Sequence, residues 1–112
     1  MRKTEERMLR AIRTGHQWRG KNTKVFDDGG FGWGVYLHGH RIAWGLWRFG
    51  EVKVVGASLC GWDTVTTRSR LAALGVDVWK LRLEEGYITQ KQYMKHLRAV
   101  ENERTRRKLA AM

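Results

Sequence analysis

The chain has 112 residues and a mass of 13.1 kDa, which suits one domain with one modest core and excludes a multidomain enzyme. The mean hydropathy of −0.56 argues against a membrane span, and no signal peptide is expected because residues 1–6 lead into an amphipathic stretch. The net charge is +11, and the one Cys excludes an internal disulfide, which favours a reducing cytosolic compartment.

The excess positive charge lies at the two ends of the chain. Residues 1–24 carry eight basic and two acidic side chains, residues 25–88 carry seven of each, and residues 89–112 carry seven basic and two acidic. A neutral centre between two basic segments is typical of proteins that bind nucleic acid electrostatically, and also of proteins that dock on an acidic partner.

The first predicted element is a short basic helix within residues 1–20. Thr4 is the expected N-cap, Met8 and Ile12 mark a narrow apolar stripe, and Gly15 ends the helix. A cationic ridge on the opposite side is a candidate nucleic-acid site, although such a ridge is more often a solvated face. Its members are Arg7, Arg10 and Arg13.

Residues 21–75 are predicted to form an antiparallel β-meander of three or four strands with a covering helix. Turn sequences at residues 27–30, 38–41 and 48–51 separate the strands. The covering helix should start at Thr64, Thr66 or Thr67 and end before Gly75. The sheet face beneath it is expected to carry Leu37, Ile42, Trp44, Val52 and Val54.

Residues 76–100 are predicted to form a helical hairpin, and residues 101–112 a basic C-terminal tail. Asp77 caps the first helix, Gly86 ends it, and Thr89 caps the second. The apolar period stops after Val100, so the last turns should either fray or become ordered on a partner. The predicted fold class is therefore α+β: a small antiparallel β-meander covered by a helix, with an N-terminal basic helix and a C-terminal helical hairpin.

Three ordered blocks within residues 21–75 resemble a group of small proteins encoded by tailed bacteriophages. The blocks are residues 22–25 (NTKV), 35–43 (VYLHGHRIA) and 61–74 (GWDTVTTRSRLAAL). The resemblance implies a phage origin and the host-cell cytoplasm as the compartment. It implies no particular activity and assigns no catalytic residue.

A second resemblance covers residues 81–93 (LRLEEGYITQKQY), which look like the helix, Gly-x-Ile-Thr, helix hairpin of short C-terminal (SHOCT-like) domains. Such a hairpin buries little surface alone, so the resemblance implies packing on another domain or on another copy. Homo-oligomerisation through this hairpin and packing on the chain's own sheet stay open as alternatives.

The sequence lacks the usual signatures of catalysis. We find no Gly-rich phosphate loop, nucleophile elbow or two-carboxylate constellation, and the acidic residues fall in turns and caps. His38 and His40 with Cys60 supply too few ligands for a structural zinc site. We therefore predict a protein that is not an enzyme, with no metal and no other cofactor.

Six Trp, three Tyr and three Phe exceed what one small core can hide. Exposed aromatic residues beside Arg can form a base-stacking platform, worth roughly 1–3 kcal/mol per base, or a protein-binding hot spot. Core packing is the ordinary alternative for any single Trp. The predicted surface aromatics are Trp33, Trp47 and Phe49.

The segment at residues 66–70 is the sharpest local candidate for phosphate binding. Thr66 and Thr67 lie near a predicted helix N-terminus with Arg68 and Arg70 beside them, although a capping cluster with two solvated arginines is an equal alternative. We expect Arg70 to face solvent and Arg68 to lie along the flank of the helix. Further candidates in the basic tail are Arg104, Arg106, Arg107 and Lys108.

Charge, aromatic content and resemblance together indicate a non-enzymatic phage protein that binds nucleic acid mainly through phosphate contacts, with DNA favoured over RNA. The alternative is a phage-encoded interaction protein that binds an acidic surface of a host enzyme and modulates it. Both functions would use the same charges, and no membrane partner is expected. Salt dependence and competition would separate the two.

Overall fold

The computed structural model describes residues 1–111. Its helices are α1 (Lys3–Thr14), α2 (Val65–Ala73), α3 (Val78–Glu84) and α4 (Gln90–Ala110). Its strands are β1 (Trp18–Arg19), β2 (Thr23–Asp27), β3 (Gly32–Leu37), β4 (His40–Leu46) and β5 (Lys53–Ala57). The five strands form one antiparallel meander in the order β1-β2-β3-β4-β5, so the predicted α+β class is confirmed. The expected meander of three or four strands has four, and the short strand β1 is added before it.

The core lies between one face of the sheet and the helices. Met8 and Ile12 of α1, Leu71 of α2 and the β3 residues Trp33 and Val35 are almost fully buried in one apolar cluster. Burial of such side chains is worth roughly 1.5–3 kcal/mol each. The sheet is therefore covered on one face by helices, as the sequence predicted.

A β-bulge in β4 changes which residues face this core. Val35 pairs with Ala43 but Tyr36 pairs with Arg41, so Ile42 is an extra residue between two pairs. Ile42 and Ala43 are consequently both buried, and the next residue, Trp44, turns to the opposite face. The prediction that Trp44 shares the core face with Ile42 is wrong, because strict alternation fails at the bulge.

Helix α1 begins earlier than the sequence suggested. Arg2 is its N-cap residue and makes no side-chain capping bond, so the prediction of Thr4 as N-cap is wrong. Gly15 ends the helix with a left-handed φ of 72°, as predicted.

The three later helices begin at side-chain caps. Thr64 accepts a hydrogen bond from the Thr67 backbone N–H and is the N-cap of α2 among the three candidates. Asp77 caps α3 and Thr89 caps α4, as predicted, and Gln92 completes a capping box with Thr89.

Helix α4 continues to Ala110, so residues 101–110 are helical. It is anchored near its start by a stack of His96 on Trp79, whose ring centroids lie 4.1 Å apart. None of its residues is buried, and Leu97 and Val100 stay about 40% exposed. Over residues 1–111, the helices are all too short or too polar to cross a membrane.

Candidate nucleic-acid interface

The sheet face opposite the core carries aromatic side chains from three neighbouring strands. Phe26 of β2 and Trp44 of β4 both pair with Gly34 of β3, so they flank it on this face. Tyr36 of β3 lies beside them, with its ring centroid 5.6 Å from that of Phe26. All three aromatic side chains are half-buried, and none belongs to the core cluster.

Four basic residues lie on the same face by strand register: Arg19, Lys24, Arg41 and Lys53. Arg19 and Lys24 place their charged groups 5.8 Å and 6.0 Å from the centre of the Phe26 ring. The Arg41 guanidinium lies 4.5 Å from the centre of Trp44. We call this surface of three aromatic and four basic residues the open sheet face.

Two glycines on the open sheet face leave room for the side chains that lie over them. The Trp44 ring lies against Gly56 of β5, where a Cβ atom would overlap the indole. The Asp28 carboxylate lies in the same way over Gly34. Aromatic rings on an uncovered sheet face are the feature on which nucleic-acid bases stack in sheet-based binding modules.

One carboxylate lies within this basic surface. The Tyr36 hydroxyl donates a 2.7 Å hydrogen bond to Asp28 Oδ1, and Arg41 Nη1 lies 3.4 Å from Asp28 Oδ2. The hydrogen bond to Asp28, with burial, raises the pKa of Tyr36 above its ordinary value of 10.0, so the phenol stays a donor. Four cations and this one carboxylate give the face a net charge of +3.

Only part of the predicted aromatic surface is exposed. The prediction for Trp33 is wrong, because its side chain faces the core, is fully buried and donates from Nε1 to the Leu46 carbonyl at 3.0 Å. Trp47 is half-buried and packs against the same core. Phe49 is 89% exposed but lies in the loop between β4 and β5.

Phe26, Tyr36 and Trp44 were not predicted from the sequence to form one surface. Phe26 and Tyr36 directly follow the buried residues Val25 and Val35. Side chains alternate between the two faces of a strand, so this spacing was the unused signal for their position on the outer face. No such signal existed for Trp44, because the bulge precedes it.

Arg70 is buried, and the expectation that it faces solvent is wrong. Its Nη1 lies 2.6 Å from Glu5 Oε2 of α1, and its Nε donates to the Thr23 hydroxyl of β2 at 3.1 Å. Ser69 also donates to Glu5 Oε2 at 2.6 Å. Burial pushes the pKa of Glu5 up, but the bonds from Ser69 and Arg70 and the charge of Arg70 outweigh it and hold that pKa below 4.5.

The other candidates in this segment lie on the helical side of the sheet. Arg68 lies along the flank of α2, as expected, with Nε 3.8 Å from Asp63, which also pairs with Arg82. Thr67 is buried and its hydroxyl bonds to that of Thr64. Thr66 and Thr67 line a cavity of about 460 Å³ whose wall includes core residues. The geometry does not bring this segment onto the open sheet face.

The terminal basic candidates are all exposed on helices. They are Arg7, Arg10 and Arg13 on α1, and Arg104, Arg106, Arg107 and Lys108 on α4. Glu103 pairs with Arg106 at 3.7 Å and with Arg107 at 3.2 Å. Such exposed pairs are worth little, so these cations stay accessible to a polyanion.

His40 and Cys60 have local partners. His40 packs against Trp62 with ring centroids 6.0 Å apart, and Cys60 Sγ donates to the Arg41 carbonyl at 2.9 Å. In the described part of the chain, no three His, Cys, Asp or Glu side chains come together as metal ligands.

A family model described as Kyanoviridae Gp96 protein matches residues 1–109. No curated protein and no solved structure gave a match.

Proposed function

The chain belongs to the Kyanoviridae Gp96 protein family, and we propose that this tailed-phage protein is a non-enzymatic protein that binds single-stranded nucleic acid on its open sheet face. The observation that carries the proposal is the set of three aromatic rings on adjacent strands, surrounded by four basic residues. Single strands expose base faces for stacking, whereas a duplex hides them.

Stacking and phosphate contacts would share the binding energy. Each stacked base contributes roughly 1–3 kcal/mol, and Phe26, Tyr36 and the Arg41–Trp44 pair offer three stacking positions. Each neutralised phosphate of a single strand contributes about −0.7 to the slope of log affinity against log salt. Four cations therefore predict a slope of up to about −2.8 from this face alone, with DNA as the first probe.

The test is fluorescence anisotropy of a labelled single-stranded oligonucleotide over a range of salt. Phe26→Ala should weaken binding by about tenfold through loss of one stacking ring. Phe49→Ala is the matched control, because Phe49 is an exposed aromatic away from the open sheet face. Equal effects of both substitutions, or an affinity that does not change with salt, would contradict the proposal.

The exposed arginines of α1 and α4 would add longer-range attraction. The expectation of phosphate contacts at Arg7, Arg10 and Arg13 and at residues 104–108 stays part of this proposal, since these side chains are exposed and the termini hold the excess charge. A duplex of the same sequence should compete through these charges, but less strongly than the single strand.

A second candidate function is docking on an acidic host protein, with the host-cell cytoplasm as the proposed compartment. Helix α4 favours it, because the part-exposed Leu97 and Val100 are followed on its exposed C-terminal half by four basic residues, Arg104, Arg106, Arg107 and Lys108. The resemblance of residues 81–93 to a SHOCT-like hairpin suggests that a second copy of the chain could dock on this same surface. A pull-down from nuclease-treated and untreated host lysate distinguishes the functions, since a protein target survives nuclease.

A further inference from the structure

The Asp28 carboxylate lies among the rings of the open sheet face. It folds back over Gly34, which pairs with Phe26 on one side and Trp44 on the other. A side chain at Gly34 would overlap this carboxylate, so only a glycine at this position leaves room for it. An anion that would oppose phosphate binding thus lies where bases would stack.

The partners of Asp28 fix its orientation and leave it acceptor capacity. Tyr36 donates to Oδ1 at 2.7 Å and Arg41 approaches Oδ2 at 3.4 Å, while 19% of the side chain stays exposed. An ionised carboxylate offers about four acceptor sites, and these two neighbours take only two of them. The remaining sites are available to hydrogen-bond donors of a ligand.

We propose that Asp28 is a specificity-determining residue that makes the open sheet face prefer guanine over thymine or uracil, an inference that rests on the proposed function. Guanine presents two adjacent donors, N1–H and the N2 amino group, which match the two oxygens of a carboxylate. Thymine and uracil present one N–H between two carbonyl oxygens, which a carboxylate repels. A good bidentate contact discriminates between bases by about tenfold or more.

The test compares a short labelled oligothymidylate with the same oligonucleotide carrying isolated guanines. The wild-type protein should bind the guanine-containing strand about tenfold more tightly. Replacing those guanines by inosine, which lacks the N2 amino group, should remove most of the preference. This comparison needs no variant and therefore does not depend on how a substitution folds.

Asp28→Asn should abolish the preference while oligothymidylate affinity is kept or increased, because the amide presents a donor beside its acceptor. Asp27→Asn is the matched control: it changes the net charge equally, and its remaining side-chain oxygen can still accept from the Gly29 N–H. Equal affinity of the wild-type protein for both strands, or an unchanged preference in Asp28→Asn, overturns the inference and leaves the proposed function intact. The proposed function itself is overturned if neither oligonucleotide binds, or if the binding of both does not change with salt.

Discussion

Replacing Arg70 by Ala is expected to destabilise the fold severely, although sequence reasoning treats this residue as a solvated cation. The substitution removes the partner 2.6 Å from Glu5 Oε2, and both side chains are only about 5% exposed. Removing one member of a buried ion pair leaves an uncompensated charge and costs about 3–5 kcal/mol. Thr23 also loses its donor, at about 1 kcal/mol. This sum is a large share of the roughly 5–15 kcal/mol by which such domains are stable.

The assay is thermal and urea unfolding followed by circular dichroism. Arg70→Ala should lower the Tm by about 10–20 °C, whereas the flanking Arg68→Ala should change stability by less than about 1 kcal/mol. The double variant Glu5→Leu/Arg70→Leu should be more stable than either single variant, because it leaves no unpaired buried charge. If the free energy of unfolding of Arg70→Ala is within about 1 kcal/mol of the wild-type value, the buried network does not exist in solution.

Three further outcomes are expected. Folding lowers the pKa of Glu5, so the ionised carboxylate stabilises the folded protein fully above pH 4.5, and this stabilisation is lost as the pH falls through the pKa of the folded state. Glu5→Gln should therefore make the Tm fall less steeply in acid. Gly45→Ala should cost about 3 kcal/mol in urea unfolding, since a Cβ atom there overlaps the Lys53 carbonyl and the Trp33 ring, and an unchanged midpoint would contradict this packing. Removing residues 101–112 should keep the Tm within about 2 °C and weaken oligonucleotide binding, because the side chains of residues 101–110 are all exposed; loss of cooperative melting would contradict it.

Local signals predicted much of the secondary structure. Gly15 ends its helix, and Asp77 and Thr89 cap theirs, where expected. Capping depends only on residues within one helical turn, so the local sequence is enough to predict it. The missed strand β1 has only two residues, Trp18 and Arg19, and it exists by pairing with β2 and not by its own propensity.

Longer-range features of the candidate site could not be predicted in this way. Arg70 is buried because its partner Glu5 lies 65 positions earlier in the chain, and no periodicity links the two. The extra residue Ile42 in β4 shifts Trp44 to the open sheet face, and a single inserted residue leaves no signal in an apolar run. The sequence therefore indicated aromatic surface without identifying which rings form it.

The network around Arg70 also bears on how the chain folds during synthesis. Helix α1 is made first, but the partners that hold its Glu5 come from residues 64 and 65 positions later. Until α2 has been synthesised, the apolar stripe of α1 has no complete docking site, and the closing contacts are of high sequence separation. Such contacts slow folding because a long loop must close before they form. Helix α1 should therefore dock late, together with α2, in the step that completes the hydrophobic core.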